Sequence, residues 1–199
     1  SQGAVDSMTH FYVGEEAFTE NVKWNIADFN SDYQFVYPSQ RSAVQLLNGG
    51  SNTVYRYLFS YNGNRNLMKT YMNMDYEGAS HSDILGYLFE LDIYTEQPTP
   101  EDQVIIDRMT TLWTNFAKYG DPTPETTELL PVKWEPITTT LQHCYEVDSE
   151  VSLLNRPFHR RMTFWDLFYE LYNDYQKCNQ GIYHNIELSF HFTFMFLMG

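Results

Sequence analysis

Hydrophobic residues recur at helical spacing in three parts of the chain, and each pattern predicts helix. The clearest covers residues 101–118, with Pro100 at its start and Gly120 directly after it. A second amphipathic pattern covers residues 156–172, and residues 15–47 show shorter helical patterns broken by turns. Four hydrophobic residues of the earliest pattern are expected to share one buried helix face: Phe18, Val22, Ile26 and Phe29.

Two segments have the composition of β-strands. Residues 54–61 are rich in aromatic and aliphatic residues, and Gly/Asn turns flank them. Both faces of this segment are largely apolar, as expected for a central parallel strand. Residues 142–147 predict a second, short strand.

The composition changes after Tyr172. Phenylalanine occupies every second position from 190 to 196, but this apolar run is far shorter than the ~20 residues of a membrane-spanning helix. We therefore expect residues 1–172 to form the domain and residues 173–199 to be a tail outside it. A disordered tail and translated sequence beyond the true gene end are the preferred interpretations. The signal for a cleaved lipid anchor is the alternative.

Composition excludes some functions and leaves others open. The 199 residues can form one domain with a real core, and the net charge of −14 disfavours nucleic-acid binding. Cys144 and Cys178 could pair or both be free, and the chain lacks Cys/His spacing typical of metal ligands, so no metal or cofactor is predicted. The chain begins without an initiator Met or an apolar signal core, which indicates the middle of a longer protein and leaves the compartment unknown.

One histidine has a sequence context that favours chemistry. The small, turn-prone residues 77–80 precede His81, Asp83 follows two residues later, and an apolar segment begins at Ile84. A loop histidine beside an acid is a candidate acid/base, although most single histidines are structural or surface residues. The surface interpretation is preferred for the other five histidines: His10, His143, His159, His184 and His191.

Six stretches together carry a family resemblance. They are SDYQFVYP at 31–38, VYRYLFSY at 54–61, GASHSD at 78–83, MTTLWTNFAKYGDPTP at 109–124, WEP at 134–136 and RMTFWD at 161–166. In order and spacing they resemble the type-B carboxylesterases, relatives of cholinesterases and insect juvenile-hormone esterases, over roughly residues 8–172. The tryptophan-containing helix that ends in Gly-x-Pro-x-Pro is the most specific of the six.

The resemblance implies the C-terminal part of an α/β-hydrolase fold, with an incomplete sheet and flanking helices. It also implies hydrolysis of a small-molecule ester by a serine nucleophile, with His81 at the position of the triad histidine. A homodimer through the C-terminal helices is possible in this family, with Phe168 and Tyr172 as candidate contacts. The connector before His81 borders the substrate gorge in the family, and ordinary core filling is the alternative for its Met and Tyr residues: Met68, Tyr71, Met72, Met74 and Tyr76.

The chain departs from the family pattern in ways that bear on activity. It contains no G-x-S-x-G nucleophile elbow, no oxyanion-hole glycines and no triad glutamate, and Ile84 replaces an acid often found three residues after the histidine. A triad made of His81 with Ser80, Ser82 or Asp83 is not expected, because adjacent residues of an extended loop point to opposite sides. We therefore predict the C-terminal part of a larger esterase, inactive by itself. The alternatives are a non-catalytic cholinesterase-like adhesion or binding protein and a pseudogene product that does not fold.

Overall fold

A computed structural model of the protein describes residues 2–51, 53–73 and 76–172. These residues divide into two compact units, one formed by 2–41 with 158–172 and the other by residues 42–157. The predicted tail, residues 173–199, lies outside the described residues. Within the described part, none of the helices is both long enough and apolar enough to cross a membrane.

The unit formed by residues 42–157 contains a mixed three-stranded sheet in the order β1-β2-β3. Strand β1 (Tyr57–Phe59) pairs in parallel with β2 (His143–Val147), and β2 pairs antiparallel with β3 (Val151–Asn155). The parallel pairing confirms the sequence prediction, but β1 is shorter than predicted and is an edge strand among the described strands. Strand β3 was not predicted, although it is only a tight turn away from β2.

Helix α6 (Pro100–Tyr119) confirms the strongest helical pattern. The Thr99 hydroxyl caps its N-terminus by accepting a hydrogen bond from the Asp102 N–H at 3.1 Å, and Gly120 ends it with φ of +68°. The helix buries Ile105, Met109 and Leu112 against the sheet, whereas Val104 is 40% exposed. Two short helices in this unit precede it, α4 (Leu67–Met72) and α5 (Leu85–Leu88).

The Gly-x-Pro-x-Pro motif has a structural explanation. After Gly120 turns the chain, the carboxylate of Asp121 accepts hydrogen bonds from the Thr123 N–H at 2.9 Å and from Lys133 Nζ at 2.6 Å. The Thr123 hydroxyl in turn accepts the Trp134 N–H at 2.8 Å. Trp134 is fully buried, and its ring stacks on Tyr145 of β2 with centroids 5.0 Å apart. The motif therefore fixes the loop that places Trp134 in the hydrophobic core.

The other unit is helical. Its elements are α1 (Gln2–Tyr12), a 3₁₀ turn (Glu20–Val22), α2 (Lys23–Ser31), a π-helical turn (Asp32–Val36), the start of α3 (Tyr37–Asn48) and α7 (His159–Leu171). Helix α1 was not predicted. The expected buried face is wrong at two positions, because Phe18 is 68% and Ile26 is 36% exposed while Val22 is buried. Helix α2 is too short and too exposed to present one continuous apolar face.

A polar cluster within this unit explains the acid at position 32. The Asp32 carboxylate is completely buried and accepts a hydrogen bond from the Tyr12 hydroxyl at 2.7 Å, while Arg161 Nε lies 2.7 Å from the same oxygen. The Tyr12 hydroxyl accepts the indole N–H of Trp165 at 2.8 Å. These contacts give Asp32 a structural role within the helical unit.

Candidate active site

His81 lies in a tight turn that connects to α5. The turn closes through hydrogen bonds from the Asp83 N–H to the Ser80 carbonyl at 3.1 Å and from the Leu85 N–H to the Ser82 carbonyl at 3.0 Å. Ser82 has a φ of +75°, a left-handed conformation that costs free energy in a residue with a side chain. The expectation of an extended loop is therefore wrong. The turn leaves the imidazole of His81 exposed rather than buried in the core.

The Asp83 carboxylate ties this turn to neighbouring elements. Asp83 is completely buried, and one oxygen accepts the Ser80 backbone N–H at 2.7 Å and the Ser80 hydroxyl at 3.3 Å. The same oxygen accepts an N–H of the Asn66 side chain at 3.1 Å. The other oxygen accepts the backbone N–H of Met68, in the first turn of α4, at 2.7 Å. A buried carboxylate needs such donors to offset its lost hydration.

A second layer of buried polar groups continues from Asn66. The Asn66 side-chain oxygen accepts the Tyr87 hydroxyl at 2.8 Å and the Gly63 N–H at 3.0 Å. The Tyr87 hydroxyl also lies 3.3 Å from Asp102 Oδ1 near the start of α6, and burial is the main cause that raises the pKa of Tyr87. The histidine turn is thus connected by hydrogen bonds to the segment after β1 and to the N-terminus of α6.

Close backbone packing holds α5 against the segment after β1. A Cβ added to Gly86 would lie only 1.9 Å from the Arg65 carbonyl oxygen and 2.2 Å from the Tyr94 hydroxyl. The Tyr94 hydroxyl donates a hydrogen bond to that carbonyl at 2.7 Å. Glycine at this position is therefore a packing requirement. Ile84, three residues after His81, is buried in the hydrophobic core.

The connector before the turn presents apolar side chains to solvent. Tyr71 is 73% and Met72 is 55% exposed, both on α4, whose first turn bonds to Asp83. The Tyr76 and Ser80 hydroxyls lie 2.6 Å apart, and burial is the main cause that raises the pKa of Tyr76. Met74, predicted with this group, lies outside the described residues. Core filling therefore does not account for Tyr71 and Met72.

The arrangement can present an imidazole to a reacting group, but the 199 residues lack the G-x-S-x-G sequence that would supply a serine nucleophile. Across residues 2–51, 53–73 and 76–172, no cluster of three or more His, Cys, Asp or Glu side chains could hold a metal ion. The sequence singled out His81 and the acid at Asp83, whose roles stay predictions, but it did not indicate the contacts of Asn66 and Tyr87. Only the Asn residues of the turn after β1 hinted at a polar partner there.

The first 165 residues match the family described as "Carboxylesterase family". This match covers most of the chain, and the chain belongs to the carboxylesterase family. Among curated proteins, the chain is 30% identical to Esterase FE4 of Myzus persicae over 65% of its length and 31% identical to human bile salt-activated lipase over 85% of its length. Those matches span only 24% and 23% of the two relatives, about a quarter of each.

A structural comparison agrees on the fold. The crystal structure of juvenile hormone esterase from Manduca sexta, with OTFP covalently attached, superposes with a TM-score of 0.69 at 21% identity. The superposition covers 85% of this chain and 32% of that protein. The fold class is therefore confirmed as α/β, with the sheet and its helices forming part of an α/β-hydrolase fold.

Proposed function

We propose that this chain is the C-terminal part of a serine-dependent carboxylic ester hydrolase and that His81 is the base of its catalytic triad. One observation carries the proposal. Within a segment that belongs to the carboxylesterase family, an exposed imidazole stands on a turn fixed by a buried carboxylate. An acid/base group needs this combination, because it must reach substrate while its backbone stays in place.

In the proposed mechanism the nucleophilic serine lies in polypeptide beyond these 199 residues. That serine attacks the ester carbonyl while His81 accepts the serine proton and then returns it to the leaving alcohol. Water then attacks the acyl-enzyme in the same way, with His81 again as the base, and releases the acid. Backbone N–H groups near the serine stabilise the oxyanion, and a carboxylate orients the imidazole. The sequence of this chain supplies only the histidine among these groups.

The chain alone is therefore proposed to be inactive. Loss of one oxyanion donor reduces turnover by about 100- to 1,000-fold, and here the nucleophile is absent from the sequence as well. We expect the isolated chain to hydrolyse p-nitrophenyl acetate no faster than free imidazole at equal concentration. Saturable turnover that disappears in His81→Ala would contradict this part of the proposal.

The substrate is proposed to be a small-molecule ester with an apolar acyl or alcohol group. The support is the exposed Tyr71 and Met72 on α4, because broad aromatic and flexible thioether surfaces suit such groups. A homodimer through the C-terminal helices is a further proposal, with Phe168 and Tyr172, both half-buried, as the candidate contacts. The exposed Leu167 and Leu171 of α7 support it. Sedimentation equilibrium of the wild-type chain and a Leu167→Lys/Leu171→Lys variant tests it, with loss of dimer expected in the variant.

The decisive experiment is to recover the longest reading frame that contains residues 1–199 and to treat its product with a fluorophosphonate probe. The proposal expects a G-x-S-x-G sequence upstream and a covalent adduct on its serine. A substituted serine with no adduct would instead support the non-catalytic adhesion or binding protein. That outcome would end the esterase proposal while leaving the family membership unchanged.

A further inference from the structure

We propose that Asp83 is a positioning residue that sets the orientation of His81 without contacting substrate. The inference rests on the proposed function, because it assigns a role in presenting the triad base. Asp83 is completely buried. Its two carboxylate oxygens accept hydrogen bonds from the backbone N–H groups of Met68 and Ser80, which flank residues 69–79.

The geometry of these bonds restricts the residue directly before His81. The Ser80 N–H donates to Asp83 Oδ2 at 2.7 Å, and the Asp83 N–H donates back to the Ser80 carbonyl at 3.1 Å. The two reciprocal bonds close a ring around His81 and Ser82. The left-handed φ of Ser82 is maintained inside this ring, since strained backbone persists only where its surroundings over-determine it.

The carboxylate itself is held from the interior of the protein. The Met68 N–H donates a hydrogen bond to Asp83 Oδ1 at 2.7 Å, and the Asn66 side-chain amide donates one to Asp83 Oδ2 at 3.1 Å. Asn66 is fully buried and donates a further hydrogen bond to the Tyr61 carbonyl at 3.1 Å. Asp83 therefore transmits the fixed position of the segment after β1 to the histidine turn.

A neutral amide cannot replace this carboxylate. In Asp83→Asn, one of the two acceptor positions becomes an NH₂ donor that faces another donor, either the Met68 N–H or the Ser80 and Asn66 groups. The matched control is Asp102→Asn, which changes a buried carboxylate of the same network. Tyr61, Asn64 and Tyr87 groups surround Asp102 Oδ1 at 3.3 Å, so this control perturbs the network without touching the Ser80 bonds.

The test is NMR spectroscopy of the complete 199-residue chain with isotope-labelled histidine. We expect Asp83→Asn to shift or split the imidazole Cε1–H signal of His81 and to speed amide exchange at Ser80 and Met68 by about tenfold or more. Asp102→Asn is expected to leave the His81 signal in place even where it lowers stability. An unchanged His81 signal in Asp83→Asn, or an equal change in Asp102→Asn, would overturn the proposal.

Wild-type protein provides a second measurement if the Asp83 variant does not fold. The Ser80 and Met68 amides should then be among the slowly exchanging amides of the wild-type chain, and rapid exchange at either would also overturn the proposal. Neither readout requires ester hydrolysis. A failed positioning role is therefore distinguishable from a failed esterase proposal, which is decided by the fluorophosphonate adduct.

Discussion

The Tyr87 hydroxyl donates a hydrogen bond of 2.8 Å to the side-chain oxygen of Asn66, and both residues are buried. The same hydroxyl accepts the Arg65 N–H at 3.3 Å. This contact joins α5, which follows the histidine turn, to the segment after β1. The catalytic proposal therefore depends on a buried polar network as well as on an exposed imidazole.

Tyr87→Phe should destabilise the protein although it removes a single oxygen atom. The change leaves the Asn66 oxygen and the Arg65 N–H with one partner fewer in the interior, and an incompletely satisfied buried polar group costs about 1–3 kcal/mol. Urea unfolding monitored by circular dichroism measures the loss. The control is Tyr71→Phe on the exposed face of α4, where we expect a change within about 0.5 kcal/mol. Equal effects of the two changes would contradict the importance of the network.

Gly86→Ala should destabilise the protein by about 1–3 kcal/mol or more, because the new methyl group overlaps the Arg65 carbonyl and the Tyr94 hydroxyl. Thermal unfolding measures the effect. Gly3→Ala is the matched control, since a Cβ there meets the Tyr172 hydroxyl at an ordinary 3.4 Å and the residue lies in α1. We expect that control to be neutral or stabilising. A neutral Gly86→Ala would show that α5 does not pack as closely as described.

Arg161→Met should be strongly destabilising. The change leaves the completely buried Asp32 carboxylate without the Arg161 guanidinium, and breaking a buried pair on one side costs about 3–5 kcal/mol. Combining it with Asp32→Asn should recover much of the loss. The comparison is Lys23→Met, which breaks an exposed pair with Glu20 and should cost less than about 1 kcal/mol. Guanidinium-chloride unfolding monitored by tryptophan fluorescence decides between these outcomes.

Arg56→Met should leave stability unchanged or raise it. Arg56 is completely buried, burial lowers its pKa, and none of its guanidinium nitrogens has a hydrogen-bond partner within the described part of the chain. Replacing an unpaired buried charge by an apolar chain of similar length removes a desolvation penalty. Arg108→Met is the control, because Arg108 donates to the Leu129 and Ser149 carbonyls and its loss should destabilise. A stability loss in Arg56→Met as large as in the control would show that the guanidinium has a partner.

Alkaline pH should unfold the sheet-containing unit. Burial raises the pKa of Tyr145 and of the Cys144 thiol to about 12. The folded state thus holds these protons more tightly than the unfolded chain, whose tyrosines titrate near pH 10. The stabilisation is complete below the unfolded pKa of each group. It is lost as pH rises to about 12, from about 9 for Cys144 and from about 10 for Tyr145.

Tyrosinate absorbance at 295 nm, recorded with near-ultraviolet circular dichroism, tests this expectation. The absorbance step of Tyr145, identified by its loss in Tyr145→Phe, should coincide with the loss of tertiary signal. Ionisation of Tyr145 in protein that keeps its tertiary signal would contradict the burial of this ring.

The sequence predicts the parts of the fold where local signals agree with tertiary packing. Helix α6 has an N-terminal cap, a proline and a C-terminal glycine in addition to its apolar face, so its bounds were found within about a residue. The Phe18 and Ile26 prediction failed because periodicity alone does not show whether a neighbouring element covers the face. Strand β3 was missed because only its pairing with β2 distinguishes it from a loop.

In the candidate site, too, some features were predictable from the sequence and others were not. A turn-prone run before His81 and the family resemblance singled out the histidine, whose catalytic role stays a prediction. The contacts of Asp83 with Ser80 and Met68 were not predictable, because they depend on how the chain folds back between residues 68 and 80. The left-handed Ser82 has no sequence signal, since serine is not a residue that favours positive φ.

The catalytic role of His81 is tested by comparing p-nitrophenyl acetate hydrolysis by the product of the complete reading frame with that of its His81→Gln variant. We expect kcat/KM to fall by at least about a thousandfold in the variant, because the serine loses its general base. His10→Gln, which changes an exposed histidine in α1, should leave kcat/KM unchanged. Activity retained in the His81→Gln variant would contradict the assignment of His81 as the triad base.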